Sequence, residues 1–187
     1  MRCLLWLLLA LTFHSAPSLA QSMTGAASPI GENFCGAVEG QENELLRCPG
    51  PAGIDAFIRS EDGRSAVSLG APDEGFVALG TANSLGLTME WRLTDGVPFA
   101  GVVRFRLPGE DGGDSLGDVM AVLKVAEGDR PGCLVALVDL TVNPEGRDMA
   151  RRIADERGPS FQCGADEARI VGMSSDWARA IVLPALQ

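Results

Sequence analysis

Tyrosine is absent from this chain, and histidine and lysine occur once each, as His14 and Lys124. His14 falls in an N-terminal segment that reads as a removable leader, so the remainder carries no imidazole. The side chains that move protons near neutral pH, activate serine or cysteine nucleophiles and fill zinc or copper sites are therefore mostly missing. Long apolar runs are missing too. The longest, Leu4 to Phe13, is about half of the roughly 20 residues that a membrane-spanning helix needs. Basic side chains are also in deficit, 15 against 25 acidic ones, for a formal charge of -10. Phosphate backbones and anionic lipid heads are held by basic residues, so nucleic acid and membrane surfaces are poor partners for this chain. A cationic protein, or simple solubility, matches the charge better.

What is present begins with the leader. Met1-Arg2 is a short basic start, Leu4 to Phe13 an apolar core, and Pro17-Ser18-Leu19-Ala20 a breaker followed by small residues. That order predicts a signal peptide over residues 1–20 and a periplasmic or secreted protein starting at Gln21. Cys3 precedes the apolar core, whereas a lipoprotein cysteine would follow it. Loss of the leader removes Arg2 and no acid, taking the charge from -10 to -10 - 1 = -11. Residues 21–31 are small and polar and are expected to form a flexible arm, with a single domain over residues 32–187.

Four cysteines then remain, and an even number in an oxidising compartment predicts two disulfides. Chain geometry selects the pairing. A strand from Cys133 to Val142 climbs about 30 Å. A helix from Pro144 to Arg157 descends about 21 Å, which returns Cys163 to Cys133. Cys35 and Cys48 are left as a local clasp. Chain-entropy reasoning assigns about 3 kcal/mol to the shorter loop and about 3.5 kcal/mol to the longer. There is no Cys-x-x-Cys, and no histidine or lysine adjoins a sulfur, so both bridges read as structural.

Residue alternation predicts the strands. Leu87, Met89, Trp91 and Leu93 fall on one face of a strand over 87–94, and Thr88, Glu90, Arg92 and Thr94 on the other. Asp95-Gly96-Val97-Pro98 turns the chain, which returns with Phe99, Val103, Phe105 and Leu107 inward and Arg104 and Arg106 outward. Residues 119–126 and 133–142 are apolar on both faces, as central strands covered on two sides are. A helix over 144–157 supplies one cover, with Asn143 as cap, Pro144 in the first turn and Met149, Ala150, Ile153 and Ala154 as its apolar stripe. Residues 54–60 and 64–69 flank Glu61-Asp62-Gly63 as a further hairpin, and 75–80 adds a strand. Ser175 is expected to cap a C-terminal helix through Leu183, with a strand as the competing reading. The fold class is α+β, mostly β: an antiparallel meander with one main helix packed on it, stapled by two disulfides.

Three groups of residues have the chemistry for a site. Arg92, Arg104 and Arg106 form a row able to grip a carboxylate or phosphate, although cross-strand pairing with Glu90 is the commoner use of such a row. Asp139 lies in an apolar strand, where a raised pKa would suit acid–base work; anchoring by an arginine or a backbone amide is the commoner outcome. The loop 109–118 is rich in aspartate and glycine, which makes Asp111, Asp114 and Asp118 weak calcium candidates in a spacing that matches no EF-hand. Trp91 reads as core and Trp177 as a partly exposed contact, while Arg151, Arg152 and Arg157 read as the solvated side of the helix. The sequence thus describes an exported, non-enzymatic binding or accessory module for a protein or envelope component, in its sharpest form a basic protein. No cofactor is expected. The alternatives are a carboxylate-based hydrolase and a calcium-binding domain built on the 109–118 loop.

Overall fold

The computed structural model describes residues 22–40, 45–109 and 115–182. The expected leader lies outside them. The chain builds strands β1 (Met23–Pro29), β2 (Gly36–Ala37), β3 (Leu45–Cys48), β4 (Ala56–Glu61), β5 (Arg64–Leu69), β6 (Val77–Ala78), β7 (Ser84–Thr94), β8 (Val97–Leu107), β9 (Gly117–Lys124) and β10 (Leu134–Asp139). Helix α1 (Gly146–Arg157), strand β11 (Arg169–Ile170) and helix α2 (Asp176–Val182) follow. The class is α+β, mostly β. The strands divide into a six-stranded sheet ordered β1-β7-β8-β9-β10-β11 and a five-stranded sheet ordered β2-β3-β4-β5-β6. All pairings are antiparallel except β10 with β11, which is parallel.

Two turns set the hairpins. Asp62-Gly63 and Asp95-Gly96 each place both residues at positive φ, 49° and 71° in the first pair and 50° and 82° in the second. That is the geometry whose twist matches antiparallel strands, and Asp-Gly adopts it readily.

The six-stranded sheet is covered on both faces. On one, Met89, Trp91, Val103, Phe105, Leu107, Ala121 and Leu123 pack against Ile58, Val67 and Leu69 of the five-stranded sheet. The two layers come close enough that a side chain at Gly101 would lie 2.6 Å from Leu69 Cδ1. On the other face, Ala150, Ile153 and Ala154 of α1 lie on Ala100, Val102, Met120, Val122, Ala136 and Val138. The fully buried strand β10 is the consequence of these two covers.

The disulfides join Cys35 to Cys48 and Cys133 to Cys163, as the strand-and-helix geometry predicts. Such bridges are compatible with an oxidising environment. No helix among the described residues is long and apolar enough to cross a membrane.

Several local expectations are corrected. Residues 23–29, expected within a flexible arm, form an edge strand laid antiparallel along β7. The segment has no large apolar side chain except Met23, so alternation could not reveal it; its ladder to β7 and the Trp91 indole donating to Ser28 Oγ at 2.8 Å hold it. Leu87, expected inward, is 63% exposed. A register irregularity between Leu85 and Met89 turns it out, as a bulge does to the residue it contains. A second irregularity, where Arg92 pairs with Ala100 and Leu93 with Pro98, leaves Phe99 as the extra residue and swings it to the α1 side. Helix α1 starts at Gly146 rather than at Pro144, with Glu145 as its cap. Asn143 is committed elsewhere: its amide donates to the carbonyls of Asp139 and Met173, both at 2.7 Å, and its Oδ1 accepts from the Met173 amide. The C-terminal segment is helical, and Ser175 Oγ accepts from the Ala178 amide at 3.3 Å.

Candidate functional site

The strongest concentration of charge near a groove lies where the α1 face of the sheet runs out from under the helix towards β1. Strand alternation sends Glu90, Arg92, Arg104 and Arg106 to this side, and α1 projects Arg147, Arg151 and Asp155 over it. A groove of 330 Å³ runs between Gly25, Ala27, Arg92 and Arg151, and another of 180 Å³ between Glu90, Arg104, Arg106 and Arg147.

The expected arginine row is present, but its members are not equivalent. Arg92 is held by Asp155 in a two-pronged contact, Nε at 2.6 Å and Nη2 at 2.8 Å. Arg104 pairs with Asp118 at 3.1 Å. Arg106 is exposed and has no ion pair among the described residues. Glu90 does not pair across the strands with this row. It receives Arg151 at 2.6 Å and Arg147 at 3.7 Å from the helix. The Glu90 bond and charge raise the pKa of Arg151. A guanidinium already bidentate to a carboxylate has spent its fork geometry, so this face is an ionic seam joining helix to sheet rather than a cluster of free anion-gripping groups. Arg157, read as solvated, donates to the Val135 and Glu167 carbonyls and lies over the Phe161 ring at 5.2 Å.

Asp139 ends β10 with only 1% exposure. Burial alone would raise its pKa. The Ser175 hydroxyl at 2.7 Å, the Ser175 amide at 2.9 Å and the Thr141 amide at 2.8 Å all donate to it, and together they hold it below the ordinary 3.8. A carboxylate pinned in its charged form by donors is an anchor and not a poised acid. It ties the start of α2 to the end of β10, beside the Asn143 bonds to Met173. Trp177 is half-buried and packs on the sandwich core. Its ring closes on Gly117, where a side chain would lie 2.5 Å from it.

Of the calcium candidates, Asp111 and Asp114 lie outside the described residues, and Asp118 is the partner of Arg104. Among the described residues, no three His, Cys, Asp or Glu side chains gather as a metal site would require.

Sequence reasoning overlooked Lys124 as a structural element. It is 5% exposed, donates to the Gly158 carbonyl at 3.0 Å and pairs with Glu127 at 2.6 Å. Its cation thus satisfies a carbonyl just past the end of α1, where the helix dipole favours positive charge. A lone lysine closing an apolar strand, three residues before a glutamate, was the available signal.

No protein-family model matches this chain, and no curated protein or solved structure matches it.

Proposed function

We propose that this protein is an exported, non-catalytic binding module for a cationic protein partner. The observation that carries the reading is the division of labour among its charged groups. The side chains best suited to chemistry are consumed internally: Asp139 by Ser175 and Thr141, Arg92 by Asp155, Lys124 by Glu127 and Gly158. Exposed carboxylates such as Glu32, Glu61, Asp62, Asp73, Glu74, Asp129, Glu145 and Glu167 face solvent and give the surface its sign. An acidic surface on a rigid disulfide-stapled scaffold attracts basic proteins at long range and raises their association rate.

The test uses purified protein immobilised in an envelope extract at low salt, followed by affinity measurement with whatever is retained. The expected partner has a basic patch, and its affinity falls steadily as salt rises because screening shortens the reach of the field. An affinity indifferent to salt overturns the electrostatic reading. Turnover of a small compound that needs Asp139 overturns the non-catalytic one.

A further inference from the structure

The outer edge of β1 is a docking strand, and we infer that it pairs with β1 of a second copy of this chain to make a two-fold dimer with one continuous sheet. Independent of the surface-charge reading above, this inference starts from register. The Ile30 amide donates to the Leu87 carbonyl at 3.0 Å and the Asp95 amide to the Ser22 carbonyl at 3.3 Å. In an antiparallel ladder the groups facing the partner belong to alternate residues. Thr24, Ala26 and Ser28 therefore face β7, and Met23, Gly25 and Ala27 turn both N–H and C=O outward, with Pro29 offering only its carbonyl.

No described strand lies on that side. The other sheet edges, β2, β6 and β11, are two residues long. At seven residues β1 is different in kind, with no charged side chain and no register irregularity along it. Long, uncharged and unbulged edges are the ones that recruit another strand.

The occupant follows from the pattern. Three residues whose N–H and C=O both point outward, unpaired among the described residues and spaced by two, are their own complement about an axis through Gly25. Met23 meets Ala27 of the second copy, Gly25 meets Gly25, and every outward donor finds an acceptor. Sliding the axis to Ala26 would set Met23 against Pro29, which has no N–H. The absence of a side chain at Gly25 also admits the Arg92 guanidinium, whose Nη1 lies 2.6 Å from the Cβ position a larger residue would fill. That guanidinium is neutralised by Asp155, so two copies meet at the axis without unpaired charge. Their net charges still repel at a distance, and the dimer is therefore strengthened by salt.

Sedimentation of the purified protein from low micromolar to several hundred micromolar, with amide hydrogen exchange at each end, tests this. A dimer is expected at the upper end. The Met23, Gly25 and Ala27 amides become protected as it forms, while Thr24 and Ala26 are protected throughout. Ala27→Pro deletes an outward donor and leaves the β7 ladder intact, so it is expected to weaken the dimer roughly tenfold or more. Exchange at Ala26 in that variant reports whether β1 is still seated. If it is not, the wild-type exchange pattern decides. Added salt separates the dimer from binding of a cationic partner, since it strengthens the first and weakens the second. A monomer at every concentration with fast exchange at Met23, Gly25 and Ala27, or a dimer that a well-seated Ala27→Pro leaves unchanged, overturns the inference.

Discussion

The two faces of the six-stranded sheet are attached to their covers by different physics. Towards the five-stranded sheet, β7 contributes Met89 and Trp91, both at 0% exposure, and the contact is an interdigitated apolar layer. Towards α1, the same strand contributes Glu90 and Arg92, which meet the helix through ion pairs at the margin of a smaller apolar patch. Apolar burial is non-directional and scales with area, whereas a bidentate ion pair fixes orientation and adds little net free energy where water reaches it. The sandwich face therefore supplies most of the stability and the helix face fixes where the helix lies.

The largest expected effect breaks the sandwich side. Trp91→Ala removes the largest fully buried side chain and orphans Ser28 Oγ at the same time. The expected loss is about 3–5 kcal/mol, a large part of the 5–15 kcal/mol typical of a domain. Denaturant unfolding measures it. A loss below about 1 kcal/mol would mean that the two sheets are not held by this layer.

The next effect asks whether a polar anchor on the sandwich side can rival an apolar one. Asp139→Asn replaces an acceptor-only carboxylate with a group whose amide faces two of the donors it should satisfy. About 2–3 kcal/mol is expected at neutral pH. The pH dependence gives a sharper signature. The folded pKa of Asp139 lies below 3.8, so its contribution is fully present above that value and is lost as pH falls through the folded pKa. Wild type and variant should therefore converge in stability on acidification, as read from unfolding curves at successive pH values. A gap that stays constant down to pH 2 would remove Asp139 from the anchor.

How much of this was legible in the sequence follows the same division. The apolar layer announces itself by alternation, so the hairpin through Asp95-Gly96, the doubly covered β9 and β10, the helix that covers them and both disulfides could be read directly. Irregular register could not. Leu87 and Phe99 keep the spacing of inward residues, and only the pairing between strands shows that each has been displaced. β1 was invisible for a related reason: a strand of small neutral residues is specified by the edge it lies against, and that edge is formed by residues 59 to 71 positions away. The candidate site divides likewise. The sequence placed Arg92, Arg104 and Arg106 on one face, but whether each is free depends on Asp155 and Asp118, whose approach is a tertiary fact. Asp139 was recognisable as a carboxylate in an apolar strand, but two of the three donors that hold it charged come from a helix cap thirty-six residues on, the third being the nearby Thr141 amide.

The smallest expected effect sharpens the helix side. If the ion pairs orient α1 rather than hold it, breaking the Arg92–Asp155 contact should cost little and leave the fold intact. Both side chains retain partial exposure, 19% and 28%, so solvent competes for each. A double-mutant cycle with Arg92→Ala and Asp155→Ala is expected to give a coupling of about 1 kcal/mol, falling further as salt is added. Helix content should be unchanged, because Ala150, Ile153 and Ala154 remain on the sheet. What should change is local order: faster amide exchange along β1 as well as in α1, since Arg92 lies across Gly25 and links the helix to the edge strand. A coupling of about 3 kcal/mol or more would reverse the assignment, placing the seam among fully desolvated pairs and making the charged face, not the apolar one, the stronger attachment.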